Sequence, residues 1–166
     1  MVEGLKNFIA KYGIRKKGGK LILYKAVSEE WGSIWVRAQF KYPDLAKGGK
    51  DVYCPGKEVI TRKCNVDRSL ECGCGLHVGT IACALKFTHD YFLTHDNHNR
   101  RRIVRVLVDP EDVVCVPHGG LCFSPCPESQ KIRCSRLVVE CETNMDGRKK
   151  RRGNNGTKQA GTETSD

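Results

Sequence analysis

The sequence has no apolar run of the about seven residues that form the core of an export signal, and none near the about twenty that cross a membrane as a helix. Residues 1–20 hold only brief apolar groups, such as Phe8-Ile9-Ala10, between Lys6, Lys11, Arg15, Lys16 and Lys17. The chain is therefore expected to stay in the cytoplasm where it is made, with no membrane span. No internal repeat is evident, so the chain reads as one body rather than an array. Paired C-x2-C motifs are absent too, which removes the most diagnostic zinc spacing. Residues 142–166 carry no apolar side chain larger than Met145 and are expected to be a disordered basic tail.

Cysteine, by contrast, is abundant. Ten in 166 residues exceed what a cytosolic chain needs for packing. Reducing conditions there disfavour bridges, so the even count points to metal thiolates rather than disulfides; a secreted chain would reverse the preference. The densest stretch is CGCGLHVGTIACAL, residues 72–85, where Cys72, Cys74 and His77 stand beside glycines that let a backbone pass close. Charge is the second excess: 29 Lys and Arg against 19 Asp and Glu give a net +10. Such a field attracts anions, nucleic acid the commonest among them, and it also keeps a protein soluble.

The length suits one domain. Leu5, Phe8, Ile9 and Tyr12 fall at helical spacing and predict a short amphipathic helix over residues 2–12, ended by Gly13 and followed by a basic, glycine-bearing hinge. Residues 21–27 form a largely apolar run of strand length. Residues 33–40 alternate, with Ile34, Val36, Ala38 and Phe40 on one face, as a second strand bordered by Trp31 and Trp35. Pro43 and Gly48-Gly49 mark a loop, and Pro55-Gly56 a turn into a strand at residues 58–60. Ile81, Ala84, Leu85 and Phe87 recur at helical intervals, which predicts a strand end, a tight turn presenting His77, and a helix packed on the sheet. Residues 101–108 alternate into a turn at 109–112 and a short strand at 113–116. Pro117, Gly119, Gly120, Pro125 and Pro127 make a loop holding Cys122 and Cys126, and one last strand is predicted over 132–141. The resulting organisation is a helix and hinge over residues 1–20, a cysteine-rich domain over 21–141 and a tail over 142–166. The fold class is α+β, a single domain with a mixed or antiparallel sheet and one or two covering helices.

Five blocks then stand out in order: Leu23-Tyr24-Lys25-Ala26-Val27; Pro55-Gly56-Lys57-Glu58-Val59; Cys72 with Gly75-Leu76-His77-Val78-Gly79; residues 106–117, VLVDPEDVVCVP; and Gln130-Lys131-Ile132-Arg133-Cys134. In order and spacing they resemble the rIIB-like (rapid-lysis protein B-like) domain of tailed bacteriophages, over about residues 21–141. The resemblance implies a phage-encoded, non-structural protein in the cytoplasm of the infected cell, acting on a host or phage protein in takeover, lysis timing or counter-defence. It implies no catalytic residue. Cys54, Cys64, Cys74, Cys83, Cys115, Cys126 and Cys141 depart from the family pattern.

Tetrahedral zinc takes four thiolate or imidazole ligands. Cys122 and Cys126 offer a pair in one rigid loop, with Cys115 and Cys134 on the flanking strands, and these four are the first candidate for a closed, structural zinc site. Cys54, Cys64, Cys72 and Cys74, with His77 as substitute, are a second set. Cys83 and Cys141 read instead as small buried hydrophobes. The strands around Lys25 and His77 also resemble the layout of ADP-ribosyltransferase-like folds, with Lys25 in the first-strand place and Glu140 as the late acid, which implies a nicotinamide dinucleotide. Alternatively, His77 is a general base beside Cys72 or Cys74, or an imidazole satisfied within its own turn. Arg100, Arg101 and Arg102, and Arg148, Lys149, Lys150, Arg151 and Arg152 in the tail, are candidates for holding RNA or DNA phosphates, or else solvated charge.

Overall fold

Gly4 and Gly13, both left-handed, bracket the helix α1, Leu5–Tyr12, whose Leu5 and Phe8 are buried. This structure is a computed structural model, and it describes residues 1–33, 51–70, 73–88, 101–118 and 130–150. The strands follow in chain order: β1 Lys16–Lys17, β2 Lys20–Val27, β3 Glu58–Ile60, β4 Leu76–Gly79, β5 Arg102–Val108, β6 Val113–Cys115, β7 Lys131–Cys134 and β8 Arg136–Thr143. A second helix, α2 Ile81–Lys86, follows β4, and a single 3-10 turn over Pro110–Asp112 joins β5 to β6. The fold is α+β: eight strands make one sheet in the order β3-β8-β5-β2-β4-β7-β6, with β1 paired to the start of β2. Every described pairing is antiparallel.

Register assigns the faces, because residues directly opposite on neighbouring strands point to the same side. Leu21, Leu23 and Lys25 pair with Val108, Val106 and Val104, while Val78 and Leu76 pair with Ile132 and Cys134. All of these except Lys25, which is buried on the same face, belong to the main core under α1, with Leu5 and Phe8 packed into it. On the other face Tyr24, opposite Gly79 and Arg105, packs with Ile103 and with Ala84 of α2. His77, paired with Arg133, lies on that α2 face. Lys25 apart, β2 and β5 are thus apolar toward α1 and mixed toward α2, which fits a sheet covered more fully on one side.

The chain departs from the sequence expectation in five places, one being the expected basic hinge, which is a hairpin in which Lys16 and Lys17 pair with Leu21 and Lys20. The first helix begins three residues later than the apolar spacing suggests, after left-handed Gly4. His77 stands inside β4, and the turn falls at Thr80, whose side chain accepts a bond from Cys83 N–H as the N-cap of α2. The last predicted strand is two strands: at Ser135 the backbone bonds sideways, its N–H to Asp112 O and its O to Thr61 N–H, so β7 joins β4 while β8 joins β5. Finally, β8 continues to Thr143, and a turn returns the chain so that Lys149 bridges Thr143 and Lys150 N–H donates to Glu142 O. The predicted strand at 33–40 lies, Ser33 apart, outside the described residues.

Candidate functional site

Charge and thiols collect at the β4–β7 end of the sheet. Lys131 and Arg133 alternate along β7, so both point to the α2 face, where Arg133 stands opposite His77 and Cys115. Arg133 is wholly buried. Its Nη2 donates to Asp67 O and, at 2.8 Å, to Cys115 Sγ, while Nε and Nη1 have no partner. The segment between β3 and β4 folds over it, held by the bond from Asn65 N–H to Cys74 O and by Arg68, whose Nε donates to Val116 O. The Cys64 sulfur contacts Cys134 O at 3.6 Å, and burial raises its thiol pKa.

His77 is the most perturbed group. Burial first, then the nearby charges of Lys25, Lys131 and Arg133, push its pKa down to about 3, and only a bond to the Gly75 backbone works the other way. The ring is therefore neutral at pH 7, and its Nε2 has no hydrogen-bond partner. A neutral imidazole held at one nitrogen with the other unengaged has the form of a metal ligand. On the opposite face Lys25 is buried, 5.0 Å from the Tyr53 ring centre, and its Nζ donates to His77 O at 3.1 Å. Burial pushes that amine down to about 8, and burial raises the neighbouring Cys134 thiol.

The two described members of the first candidate zinc set, Cys115 and Cys134, lie on opposite faces of the sheet. Cys115 pairs with Arg133 on the α2 face, whereas Cys134 points into the α1 core and contacts Leu76 O. Adjacent strands separate side chains on opposite faces by the thickness of the sheet, so one ion cannot take both. Cys122 and Cys126 lie outside the described residues. Of the second set, Cys64 and Cys74 are near enough to interact electrostatically on the covering segment, where Asn65 N–H donates to Cys74 O. Cys54 instead faces the carboxylate of Asp51 at 3.4 Å, and Cys72 lies outside the described residues. Among the described residues no three of His, Cys, Asp and Glu form a group able to hold a metal ion. Cys83 and Cys141 are buried, Cys83 within α2.

Three of the eight candidate phosphate-binding cations are engaged within the chain. Arg102 stacks 4.6 Å from the Trp31 ring centre and pairs with Glu142 at 3.1 Å, Lys150 pairs with the same carboxylate at 3.1 Å, and Arg101 donates to Phe87 O. Arg148 and Lys149 lie on the returning turn; Arg100, Arg151 and Arg152 fall outside the described residues. The two residues that a nicotinamide-binding layout would use face opposite sides of the sheet. Lys25 enters the α1 core, while Glu140 bonds Arg105 and Lys17 on the α2 face.

Sequence reasoning missed Arg133, Lys131 and the burial of Lys25. A signal for the first two was present: in Lys131-Ile132-Arg133-Cys134 cations alternate with core residues, as on a strand whose second face is also covered. No family model matches the chain, and no curated protein or solved structure is detectably similar to it. No described helix is long and apolar enough to cross a membrane.

Proposed function

We propose that this chain is a non-enzymatic accessory protein of the rIIB-like type, encoded by a tailed bacteriophage and acting in the cytoplasm of the infected cell. Its partner is a host or phage protein, and its role lies in takeover, lysis timing or counter-defence. One observation carries the reading: the five blocks behind the resemblance fall on β2, the turn into β3, β4, β5 to β6, and β7, all in one sheet, where β5, β2, β4, β7 and β6 are consecutive neighbours and β3 lies beyond β8. Order along the chain together with adjacency in space is what a shared framework requires.

Zinc is the proposed stabiliser of the segment over Arg133. Cys64, Cys72 and Cys74 with the unengaged Nε2 of His77 are the ligands in this reading. Thiolates are the right donors here, because a cluster with net negative charge compensates the buried guanidinium and the cations around His77. The enzyme reading is the weaker one, since Lys25 and Glu140 face different sides of the sheet. Metal analysis with a thiol titration on the full chain tests the proposal: about one bound zinc is expected, lost in Cys64→Ser and retained in Cys54→Ser. Ten freely titrating thiols in the native protein would remove the zinc, and incorporation of label from nicotinamide dinucleotide would remove the non-enzymatic assignment. Capture of the tagged chain from infected cells is expected to bring down one protein at near-equal amount, and recovery of the tagged chain alone would remove the partner.

A further inference from the structure

The hairpin formed by β1 and the start of β2 is a basic wing. Arg15, Lys16, Lys17 and Lys20 occupy four of six positions, with Gly18 and Gly19 at the turn and no acid between them. Both glycines have positive φ, 55° and 79°, the requirement of a tight type I′ turn, which matches the twist of the two strands. A side chain placed at either glycine would meet nothing within 4 Å, so the tip stands clear of the rest of the molecule. Both residues of β1 are exposed. The base is nonetheless rigid: Ile22 N–H donates to Arg15 O at 2.9 Å, Lys16 pairs with Leu21, and Leu21 and Leu23 are fully buried in the α1 core. Lys17 is tied to Glu140 across the sheet, whereas Arg15, Lys16 and Lys20 form no ion pair among the described residues.

We propose that this hairpin is a nucleic-acid-binding wing that grips the phosphates of a duplex through Arg15, Lys16 and Lys20, without reading bases. The inference is independent of the function proposed above. Its chemistry selects the partner. The tip has no aromatic or aliphatic side chain, so it lacks both the anchor of a protein-binding hot spot and the apolar wedge of a membrane-inserting loop. Cations on a slim two-stranded ribbon, narrowed further by a glycine tip, suit a duplex groove, which admits such a ribbon, and the phosphates along it. Binding that rests on phosphates alone is expected to be indifferent to sequence and steeply salt-dependent.

The test is fluorescence anisotropy of the full chain with a labelled mixed-sequence DNA duplex, at salt between about 50 mM and about 200 mM. The triple variant Arg15→Gln, Lys16→Gln, Lys20→Gln keeps the glycine turn and is expected to unfold at the wild-type temperature. It should bind about tenfold more weakly at the lower salt, with a salt slope reduced by about three. A second variant, Arg62→Gln with Lys63→Gln, which removes two exposed cations outside the hairpin, is expected to bind within about twofold of wild type. Undetectable binding by the wild-type chain at low salt, an unchanged triple variant, or loss confined to the second variant would each overturn the proposal. So would equal affinity for polyglutamate or for anionic lipid vesicles.

Discussion

Lys25 and His77 are bases buried on the two faces of neighbouring strands, and both are pushed toward their neutral forms. For His77 the folded pKa of about 3 lies below the unfolded 6.5. The unfolded chain therefore takes up the proton first as pH falls: the stability is fully present above about pH 6.5 and is lost toward pH 3. His77→Gln is expected to flatten the acid side of the stability curve by up to about 1.4 kcal/mol per pH unit, read by urea unfolding at stepped pH. An unchanged slope would mean that the ring titrates freely in the folded protein. Lys25 behaves likewise at higher pH, with stability rising from about pH 8 to the unfolded value of 10.5. Lys25→Met keeps the apolar stem and removes the desolvated charge, so it is expected to stabilise the protein at pH 7 by about 2 kcal/mol and to abolish that rise. The same residues show the limit of reading side chains from sequence. That Lys25 faces the core, and that Cys115 and Cys134 face opposite sides, depends on register, and register is set by partners as distant as Leu21 and Val108.

β2 and β5 were legible because an apolar run and an alternating run meet length and propensity requirements locally. β7 and β8 were not separable, because Ser135 looks like any polar position on a strand until its backbone is seen bonding to Asp112 and Thr61. The β4–α2 connection was legible in kind but displaced by three residues: apolar spacing located the helix, whereas the strand's end is set by pairing with β7 as far as Gly79. Gly79 is the element's most constrained point. A Cβ there would lie 2.4 Å from Gln130 O and 3.2 Å from Cys83 Cβ, and the first of these is backbone that cannot swing aside. Gly79→Ala is accordingly expected to destabilise the fold by about 2 to 3 kcal/mol in urea unfolding. Thr80→Ala next to it removes only the cap of α2 and is expected to cost about 1 kcal/mol. If the two substitutions cost the same, the close approach of β4 to Gln130 is not what fixes this corner.

Strand order is the level least available from sequence. Nothing local says that β4 enters between β2 and β7, or that β8 returns to lie between β3 and β5, since each pairing closes a long loop whose entropy only the assembled core offsets. The amphipathic spacing of α1 does show that a small helix will cover something, and the structure shows that it covers the strand centres: Leu5 and Phe8 join Leu21, Leu23, Val106 and Val108 in the main cluster. The helix has only eight residues, too few to persist in water on its own, so its order comes from this docking. The docking in turn shields the apolar face of the central strands. Phe8→Ala is thus expected to lower the stability of the whole protein by about 3 kcal/mol in a single cooperative transition, followed by far-UV ellipticity and by tryptophan fluorescence together. Separate midpoints for the two probes, with the sheet melting at its wild-type denaturant concentration, would make α1 a detachable cover and place the core in the sheet alone.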